Sequence, residues 1–244
     1  MPLTVVIGDQ HIPDIDYEFA RQVISFIRSI KPDTIILSGD LLDFTRLAKF
    51  DTVPFAGKLI QEEFDLGQQF LKSLRKSFSG RIIFTEGNHE FRLRKYLVCK
   101  ARELYGLKGL SVEEGLDLKG FDIEYIKSPE NAATWTGARI EHQGVYVGHF
   151  DMIRQGAGNT AKGLVEKYGV SILQSHTHRG GTYRKHTMDG RTLVGQENFC
   201  MCKLNPSYMI DCDWEQGFSL IKDGQIIPIE YKEGKLVFLN RRIS

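Results

Sequence analysis

The chain has 244 residues, of which 41% are hydrophobic, and its 32 basic and 31 acidic residues give a net charge of +1. This length and composition suffice for a large buried core, so we expect a single domain over residues 1–244. The balanced charge excludes the strong overall field that draws proteins to nucleic acid or to anionic membranes, and it leaves room only for local basic patches.

The cysteines and the apolar runs bear on where the protein works. Cys99, Cys200, Cys202 and Cys212 form no CxxC pair and are too sparse to crosslink the chain, which indicates reduced thiols in an intracellular protein. Cys200 and Cys202 could hold a soft metal, but their spacing fits core packing on one face of a strand better. No apolar run approaches the roughly 20 residues of a transmembrane helix, and we predict a cytoplasmic protein without a membrane partner.

The first part of the chain alternates strand patterns with helix patterns. Short β-branched apolar runs predict strands at residues 3–7, 34–37, 81–85, 123–126, 140–147 and 170–173. Apolar residues that recur at intervals of three and four predict helices at residues 17–30, 59–78 and 91–105. This alternation predicts a parallel sheet.

The last part of the chain carries turn signals instead. The pairs Asp189-Gly190, Asp223-Gly224 and Glu233-Gly234 favour hairpins, and therefore antiparallel strands. A parallel part followed by an antiparallel part predicts two sheets packed face to face with helices outside.

Several predicted strands run into residues that can bind metals. They are followed by GDQH at residues 8–11, GDLLD at 39–43, GNHE at 87–90, GH at 148–149 and SHTH at 175–178. Ligands of α/β sheets bind at the carboxyl ends of the strands. One aspartate in such a position is more often a cap, and one histidine is more often structural, but five segments in order favour a binding site.

The residue types indicate borderline divalent ions. Imidazole, carboxylate and amide oxygen without thiolate suit manganese, iron, zinc or nickel better than calcium alone, and we expect two ions with manganese first. Asp9 and His11 can chelate one ion, whereas His176 and His178 could serve different ions. Asp40 can bridge two ions about 3.5 to 4 Å apart, which is the spacing of two-metal phosphoryl chemistry.

These ordered motifs resemble the calcineurin-like metallophosphoesterase superfamily from Asp9 to His178, and GNHEFRLRKYL is similar to stand-alone members from bacteria and phages. The resemblance implies a four-layer α/β/β/α sandwich of two mixed sheets flanked by helices. It also implies that the first metal is held by Asp9, His11, Asp40 and His178, and the second by Asp40, Asn88, His149 and His176.

The resemblance gives roles to two further residues. His89 would face the substrate and donate a proton to the leaving oxygen, while Asp43 would accept a hydrogen bond from the other nitrogen of His89 and favour the imidazolium form. A water molecule acidified by the metal pair would supply the hydroxide that attacks phosphorus. The alternative for Asp43 is a helix cap.

Some positions depart from the commonest family patterns. Ile12 stands where glycine is usual after the first motif, and Ser175 stands where GHxH would have glycine. Phe44 and Thr45 replace the Arg-Gly of protein serine/threonine phosphatases, which argues against a phosphoprotein substrate. None of these residues is a predicted ligand, so the departures concern the subfamily.

Basic residues near the motifs point to the substrate. Arg92 and Arg154 are candidates for contact with its phosphate, although a solvated helix face is the alternative for Arg92. Together with Arg179 and Arg184 they favour a phosphodiesterase or nuclease that acts on nucleotides or nucleic acid. The alternatives are a phosphomonoesterase or protein phosphatase of the same superfamily, and a scaffold that has lost catalysis.

Overall fold

The computed structural model describes residues 2–48, 57–129, 134–205 and 212–238. The helices are α1 (Tyr17–Ile30), α2 (Ile60–Ser77), α3 (Asn88–Lys100), α4 (Val112–Gly115) and α5 (Asn159–Tyr168). The strands are β1 (Leu3–Ile7), β2 (Thr34–Leu37), β3 (Arg81–Thr85), β4 (Ile123–Ile126), β5 (Ala138–His142), β6 (Val145–His149), β7 (Ser171–Ser175), β8 (Thr182–His186), β9 (Thr192–Glu197), β10 (Gly217–Lys222), β11 (Gln225–Lys232) and β12 (Lys235–Phe238).

The larger sheet has seven strands in the order β12-β11-β10-β1-β2-β3-β4. Strands β1 to β4 are parallel, as the alternation of strands and helices predicts. Strands β10, β11 and β12 extend the sheet by antiparallel pairing. Because β1, β2 and β3 are parallel neighbours, the chain leaves all three of them at the same edge of the sheet.

The smaller sheet has five strands in the order β5-β6-β7-β9-β8. Its central strands β6, β7 and β9 are parallel, and β5 and β8 are antiparallel edges. In the β6–β7 register His149 pairs with Ser175. The loops after these two strands therefore leave the smaller sheet side by side.

The two sheets pack face to face through aliphatic side chains. Val6, Ile36 and Ile83 of the larger sheet meet Val147 and Leu173 of the smaller one, and all five are almost completely buried. This contact forms the two inner layers of the molecule.

Helices cover the outer face of each sheet. Phe19 of α1 and Leu71 of α2 belong to the core over the larger sheet, and Leu164 and Val165 of α5 pack over the smaller sheet. The structure therefore confirms the four-layer α/β/β/α sandwich that the resemblance implied.

Helix α1 shows how the local sequence sets these elements. Asp16 caps its first turn, because its carboxylate accepts hydrogen bonds from the amides of Glu18 and Phe19. The buried residues Phe19 and Val23 lie on the side that faces the sheet, and the helix ends before Lys31, which is left-handed with φ 47°. Both predicted ends of this helix are confirmed.

Other predicted boundaries were wrong. Residues 140–147 are not one strand: β5 and β6 form a hairpin that turns at Gln143 and Gly144, with φ of 54° and 76°. Such turns usually carry asparagine or aspartate where this chain has glutamine, so the sequence gives no turn signal. The third helix begins at Asn88 and ends at Lys100, and a separate 3-10 turn follows at Arg102–Leu104.

The three predicted hairpin turns are confirmed between β8 and β9, β10 and β11, and β11 and β12. Within the described ranges, none of the helices combines the length and the apolar character needed to cross a bilayer.

Candidate metal centre

The seven predicted ligands meet where strands of both sheets end. Asp9 and His11 follow β1, Asp40 follows β2, and Asn88 opens α3 after β3. His149 is the last residue of β6, and His176 and His178 follow β7. Because the two sheets are stacked, the side chains of these seven residues form two adjoining clusters.

The first cluster contains Asp9, His11 and His178. The Nε2 atom of His178 lies 3.3 Å from Oδ1 of Asp9 and 3.0 Å from Nε2 of His11. The amide of His176 donates to both carboxylate oxygens of Asp9, at 3.0 and 3.2 Å. All three side chains of the cluster are buried, so their orientation is fixed by packing.

The second cluster contains Asp40, Asn88, His149 and His176. The Nε2 atom of His149 lies 2.9 Å from Oδ1 of Asn88, 3.1 Å from Nδ1 of His176 and 3.2 Å from Oδ2 of Asp40. On the opposite side of its ring, Nδ1 of His149 lies 3.0 Å from the carbonyl oxygen of Ser38. That hydrogen bond leaves Nε2 of His149 directed into the cluster.

Asp40 lies between the clusters. Its Oδ2 atom is 3.2 Å from Nε2 of His149 and 3.7 Å from Nε2 of His11. Its Oδ1 atom accepts a hydrogen bond of 2.9 Å from the amide of His89. One carboxylate is thus within reach of both sets of ligands.

The donor atoms fit a divalent ion in each cluster. Imidazole nitrogens face each other at 3.0 Å between His11 and His178 and at 3.1 Å between His149 and His176, and such a contact needs a shared proton or a cation. Metal–nitrogen bonds of about 2.0 to 2.1 Å separate neighbouring ligands by roughly these distances. Nitrogen and oxygen donors without sulfur also suit borderline divalent ions.

The electrostatics show the same demand for positive charge. Although burial opposes it, contact with His149 and His89 holds the pKa of the Asp40 carboxyl well below its usual range. Burial also opposes the charged form of His178, yet Asp9 raises its pKa to about 10. By contrast, burial and the neighbouring His149 lower the pKa of His176 to about 3. The two buried carboxylates therefore attract positive charge into the centre.

The backbone of the centre is unusual. Asp9, His11, Asp40, His176 and His178 all have positive φ, at 52°, 47°, 52°, 95° and 59°. Residues with a Cβ rarely adopt this left-handed region, and it costs about 1 to 2 kcal/mol per residue. The strand ends thus turn sharply and direct these side chains inward.

Glu90 joins two of the ligand loops. Its buried carboxylate accepts hydrogen bonds from the amides of Asp40 at 2.9 Å, Leu42 at 3.0 Å and Gly87 at 2.9 Å. Gly87 has no room for a side chain, since a Cβ there would lie 2.1 Å from Oδ1 of Asp40. No pattern of side chains in the sequence reveals this role of Glu90, because its partners are backbone amides.

His89 and Asp43 lie beside the first cluster. Nδ1 of His89 is 2.7 Å from the carbonyl oxygen of Asp43 and 3.2 Å from its carboxylate, which is closer to Nδ1 of His11, at 3.0 Å. The structure brings His89 and Asp43 together as expected, but it adds a second partner, because the Asp43 carboxylate is shared by two imidazoles. Burial lowers the pKa of His89. Burial also opposes the charged form of His11, but the hydrogen bond to Asp43 and the negative charge of Asp40 together raise the pKa of His11 to about 9.

Of the two predicted phosphate contacts, the structure brings only Arg92 to the centre. Its Nη2 atom lies 2.9 Å from Nε2 of His89, and its Nη1 atom donates to the carbonyl oxygen of Asp43 at 2.8 Å. The guanidinium of Arg154 instead lies over Gly163 of α5, where an added Cβ would be 2.6 Å from Cζ. Within the described ranges, the exposed Arg154 side chain makes no hydrogen bond or ion pair with a predicted ligand.

Four further residues border the centre. Sγ of Cys202 lies 3.9 Å from Nδ1 of His178, and Cys200 lies in the same buried group. The backbones of Cys200 and Cys202 pair only in isolated β-bridges, with Gln216 and Ile15. The two cysteines therefore do not lie on one face of a strand, as their spacing predicted. Trp214 packs edge to face on His178 with ring centres 4.1 Å apart, and Trp135 lies 5.3 Å from His149. No motif in the linear sequence signals these long-range contacts.

Known proteins are similar to this chain. A family model described as calcineurin-like phosphoesterase matches residues 3–193. The gene 54 proteins of Mycobacterium phages L5 and D29 are each 29% identical to this chain. The match with the L5 protein covers 93% of this chain and 91% of the L5 protein, and the match with the D29 protein covers 92% of both chains. YfcE, a phosphoesterase from E. coli, superposes with a TM-score of 0.48 at 8% identity, over 96% of both chains.

Proposed function

Since the chain belongs to the calcineurin-like phosphoesterase family and is a metal-dependent phosphoester hydrolase, we propose that it hydrolyses a phosphodiester of a nucleotide or a nucleic acid. The observation that carries the proposal is the pair of clusters on either side of Asp40. We assign one divalent ion to Asp9, His11, Asp40 and His178 and a second to Asp40, Asn88, His149 and His176, with manganese as the native metal.

When bound, the two ions would neutralise charge on the phosphate oxygens and acidify a water molecule. The contribution of the protein is to hold the ligands in advance. Glu90 fixes the amides of Asp40 and Gly87, and the hydrogen bond from His149 to the carbonyl of Ser38 fixes that ring. Such support reduces the reorganisation that catalysis requires.

His89 supplies the proton for the leaving oxygen from Nε2. Its Nδ1 atom donates to the carbonyl oxygen of Asp43 at 2.7 Å, so the proton available for transfer is one carried by Nε2. In the free protein, Nη2 of Arg92 lies 2.9 Å from that atom. A bound phosphate attracts this guanidinium, frees Nε2, and through its negative charge raises the pKa of His89 that burial lowers.

Two observations support a diester over a phosphoprotein. Arg92 brings one guanidinium to the reaction site, which matches the single negative charge of a diester. Phe44, where protein phosphatases carry arginine, is completely buried against Phe64 and therefore offers no group to a substrate.

The test is a manganese-supplemented screen of nitrophenyl monoesters and diesters, cyclic nucleotides, and single-stranded and duplex DNA. We expect diester turnover to exceed monoester turnover, and Asp40→Ala to abolish both. If monoesters are turned over faster, the protein is a phosphomonoesterase. If no diester is cleaved in manganese, the proposal is wrong.

His89→Asn separates a catalyst from a scaffold. We expect turnover to fall by a factor of about 10² to 10⁴, the usual contribution of a general acid, while manganese uptake is retained. Unchanged turnover would remove His89 from the mechanism. A protein that takes up no manganese would overturn the assignment of the ligands.

A further inference from the structure

A basic groove lies next to the second cluster. It has a volume of about 440 Å³ and lies between the end of β4, the start of β5 and the end of α5. Lys127, Arg139 and Lys167 line it, with Asp151 as the only acidic residue in its lining among the described residues. Its volume is within the range of ligand-binding clefts.

Two of the three cations are available to a ligand. Lys127 forms an ion pair with Glu113. Arg139 and Lys167, in contrast, both lie on the ring of Tyr168, with Cζ at 5.5 Å and Nζ at 4.9 Å from its centre. Neither forms an ion pair with a carboxylate in the part of the chain that the structure describes, and both are exposed. Their charges can therefore bind an anion without breaking an existing ion pair.

One wall of the groove adjoins the candidate metal centre. Ala138 in its wall pairs with His149 in the β5–β6 register, and Gly137 approaches the carbonyl oxygen of His149 so closely that a Cβ would lie 2.7 Å away. Trp135, just before this wall, lies with its ring centre 5.3 Å from His149 and 5.8 Å from His176. Residues 135–138 thus connect the groove to the metal ligands around the edge strand β5.

We propose that this groove binds the backbone of a single-stranded nucleic acid whose scissile phosphate lies at the candidate metal centre, an inference that rests on the proposed function. Arg139 and Lys167 contact two successive phosphates upstream or downstream of the cleaved one. The partly exposed ring of Trp135 lies between the groove and the centre and offers a face to an unpaired base, whereas the bases of a duplex stay stacked on each other. A mononucleotide would fill the metal centre and leave the groove empty.

The test removes the two free charges. Arg139→Gln combined with Lys167→Gln is compared with Arg28→Gln combined with Lys76→Gln. The control pair lines a cavity of about 520 Å³ between α1 and α2 and loses the same charge. Binding of a fluorescent single-stranded 12-mer is followed by anisotropy between 50 and 300 mM salt, in the Asp40→Ala background so that the strand is not cleaved.

Each phosphate contact contributes about 0.7 to the slope of log K against log salt for a single strand. We expect the groove variant to lower this slope by about 1.4 and to weaken binding on the order of tenfold near 0.1 M salt. The control variant should keep the wild-type slope. Arg139→Lys with Lys167→Arg, which preserves the charges, should bind nearly as well as the wild type. Equal slopes for the groove and control variants would overturn the proposal.

Activity distinguishes this inference from the proposed function. In the enzyme with Asp40 intact, the groove variant should raise KM for the oligonucleotide and leave turnover of bis(4-nitrophenyl) phosphate, too small to reach the groove, unchanged. If small diesters are cleaved but the groove variant binds the oligonucleotide like the control, only the groove assignment fails. If no diester is cleaved but the slope falls as expected, the groove stands and the proposed activity fails. Equal binding of a polyglutamate peptide and the 12-mer would also overturn the assignment to nucleic acid.

Discussion

Glu63 carries a carboxyl group whose charge the fold disfavours. Its side chain reaches from α2 to the loop after β2, where Oε2 accepts a hydrogen bond of 2.6 Å from the amide of Phe44. Oε1 is buried and has no hydrogen-bond partner among the described residues. Burial therefore raises the pKa of Glu63 from 4.5 to about 8.

This shift makes stability depend on pH. The folded protein holds the proton of Glu63 more tightly than the unfolded chain does. The contribution of Glu63 to the free energy of unfolding is therefore fully present below pH 4.5, and it is lost as the pH rises through about 8. Each pH unit inside that window lowers the free energy of unfolding by about 1.4 kcal/mol. Between pH 6 and pH 8 the loss is about 2 to 3 kcal/mol, which corresponds to about 4 to 12 °C in Tm for a chain of this length.

Glu63→Gln removes the charge and keeps the hydrogen bond, since the amide oxygen still accepts from Phe44 and the amide nitrogen takes the position of the unpaired Oε1. We expect the Tm difference between variant and wild type to grow by about 4 to 12 °C from pH 6 to pH 8, measured by circular dichroism in EDTA. Glu62→Gln, at a neighbouring side chain that is 48% exposed, is the control. An equal Tm difference at both pH values would refute the account of Glu63.

Three further predictions concern the centre and the packing around it. Cys202→Ala should weaken manganese binding about 10- to 100-fold, as measured by calorimetry, because the substitution removes the neighbour of Nδ1 of His178. Cys202→Ser should recover part of the lost affinity. Equal manganese affinities of Cys202→Ala and the wild type would contradict this role of Cys202. Manganese should quench tryptophan fluorescence while magnesium does not, since Trp135 and Trp214 border the clusters. The absence of quenching at saturating manganese would contradict the assignment of the metal sites. Gly195→Ala should lower the free energy of unfolding, measured in urea, by about 1 to 3 kcal/mol, because a Cβ would lie 2.8 Å from a backbone oxygen of α5. If the variant is as stable as the wild type, α5 can move to make room for the methyl group.

The strand ends could be predicted from the sequence because the signals there are local. Each apolar run stops at a glycine or polar residue, and the ends of β1, β2 and β3 agree with the prediction. Parallel pairing then brings the residues after these strands to one edge, so Asp9, Asp40 and Asn88 were expected to be neighbours. Their position followed from topology and needed no knowledge of side-chain packing.

The surroundings of the ligands could not be predicted in the same way. Cys202 and Trp214 contact His178 across 24 and 36 positions of the chain, and such contacts depend on how the two sheets stack. Arg154 shows the converse: its place in the sequence suggested a phosphate contact, but its guanidinium packs on Gly163. The order of motifs fixes which residues approach the centre, and three-dimensional packing decides which groups support them.

The left-handed backbone at the ligand positions also bears on how this sequence has been selected. Five ligands in that conformation together cost roughly 5 to 10 kcal/mol, which is as large as the net stability of a typical protein. Glycine would relieve the strain at each position. Drift under selection for folding alone would therefore replace these ligands first, and a lineage that needed only a scaffold would lose them early. Their joint presence in this chain supports the proposed function, in which the chemistry of the centre outweighs the cost in stability.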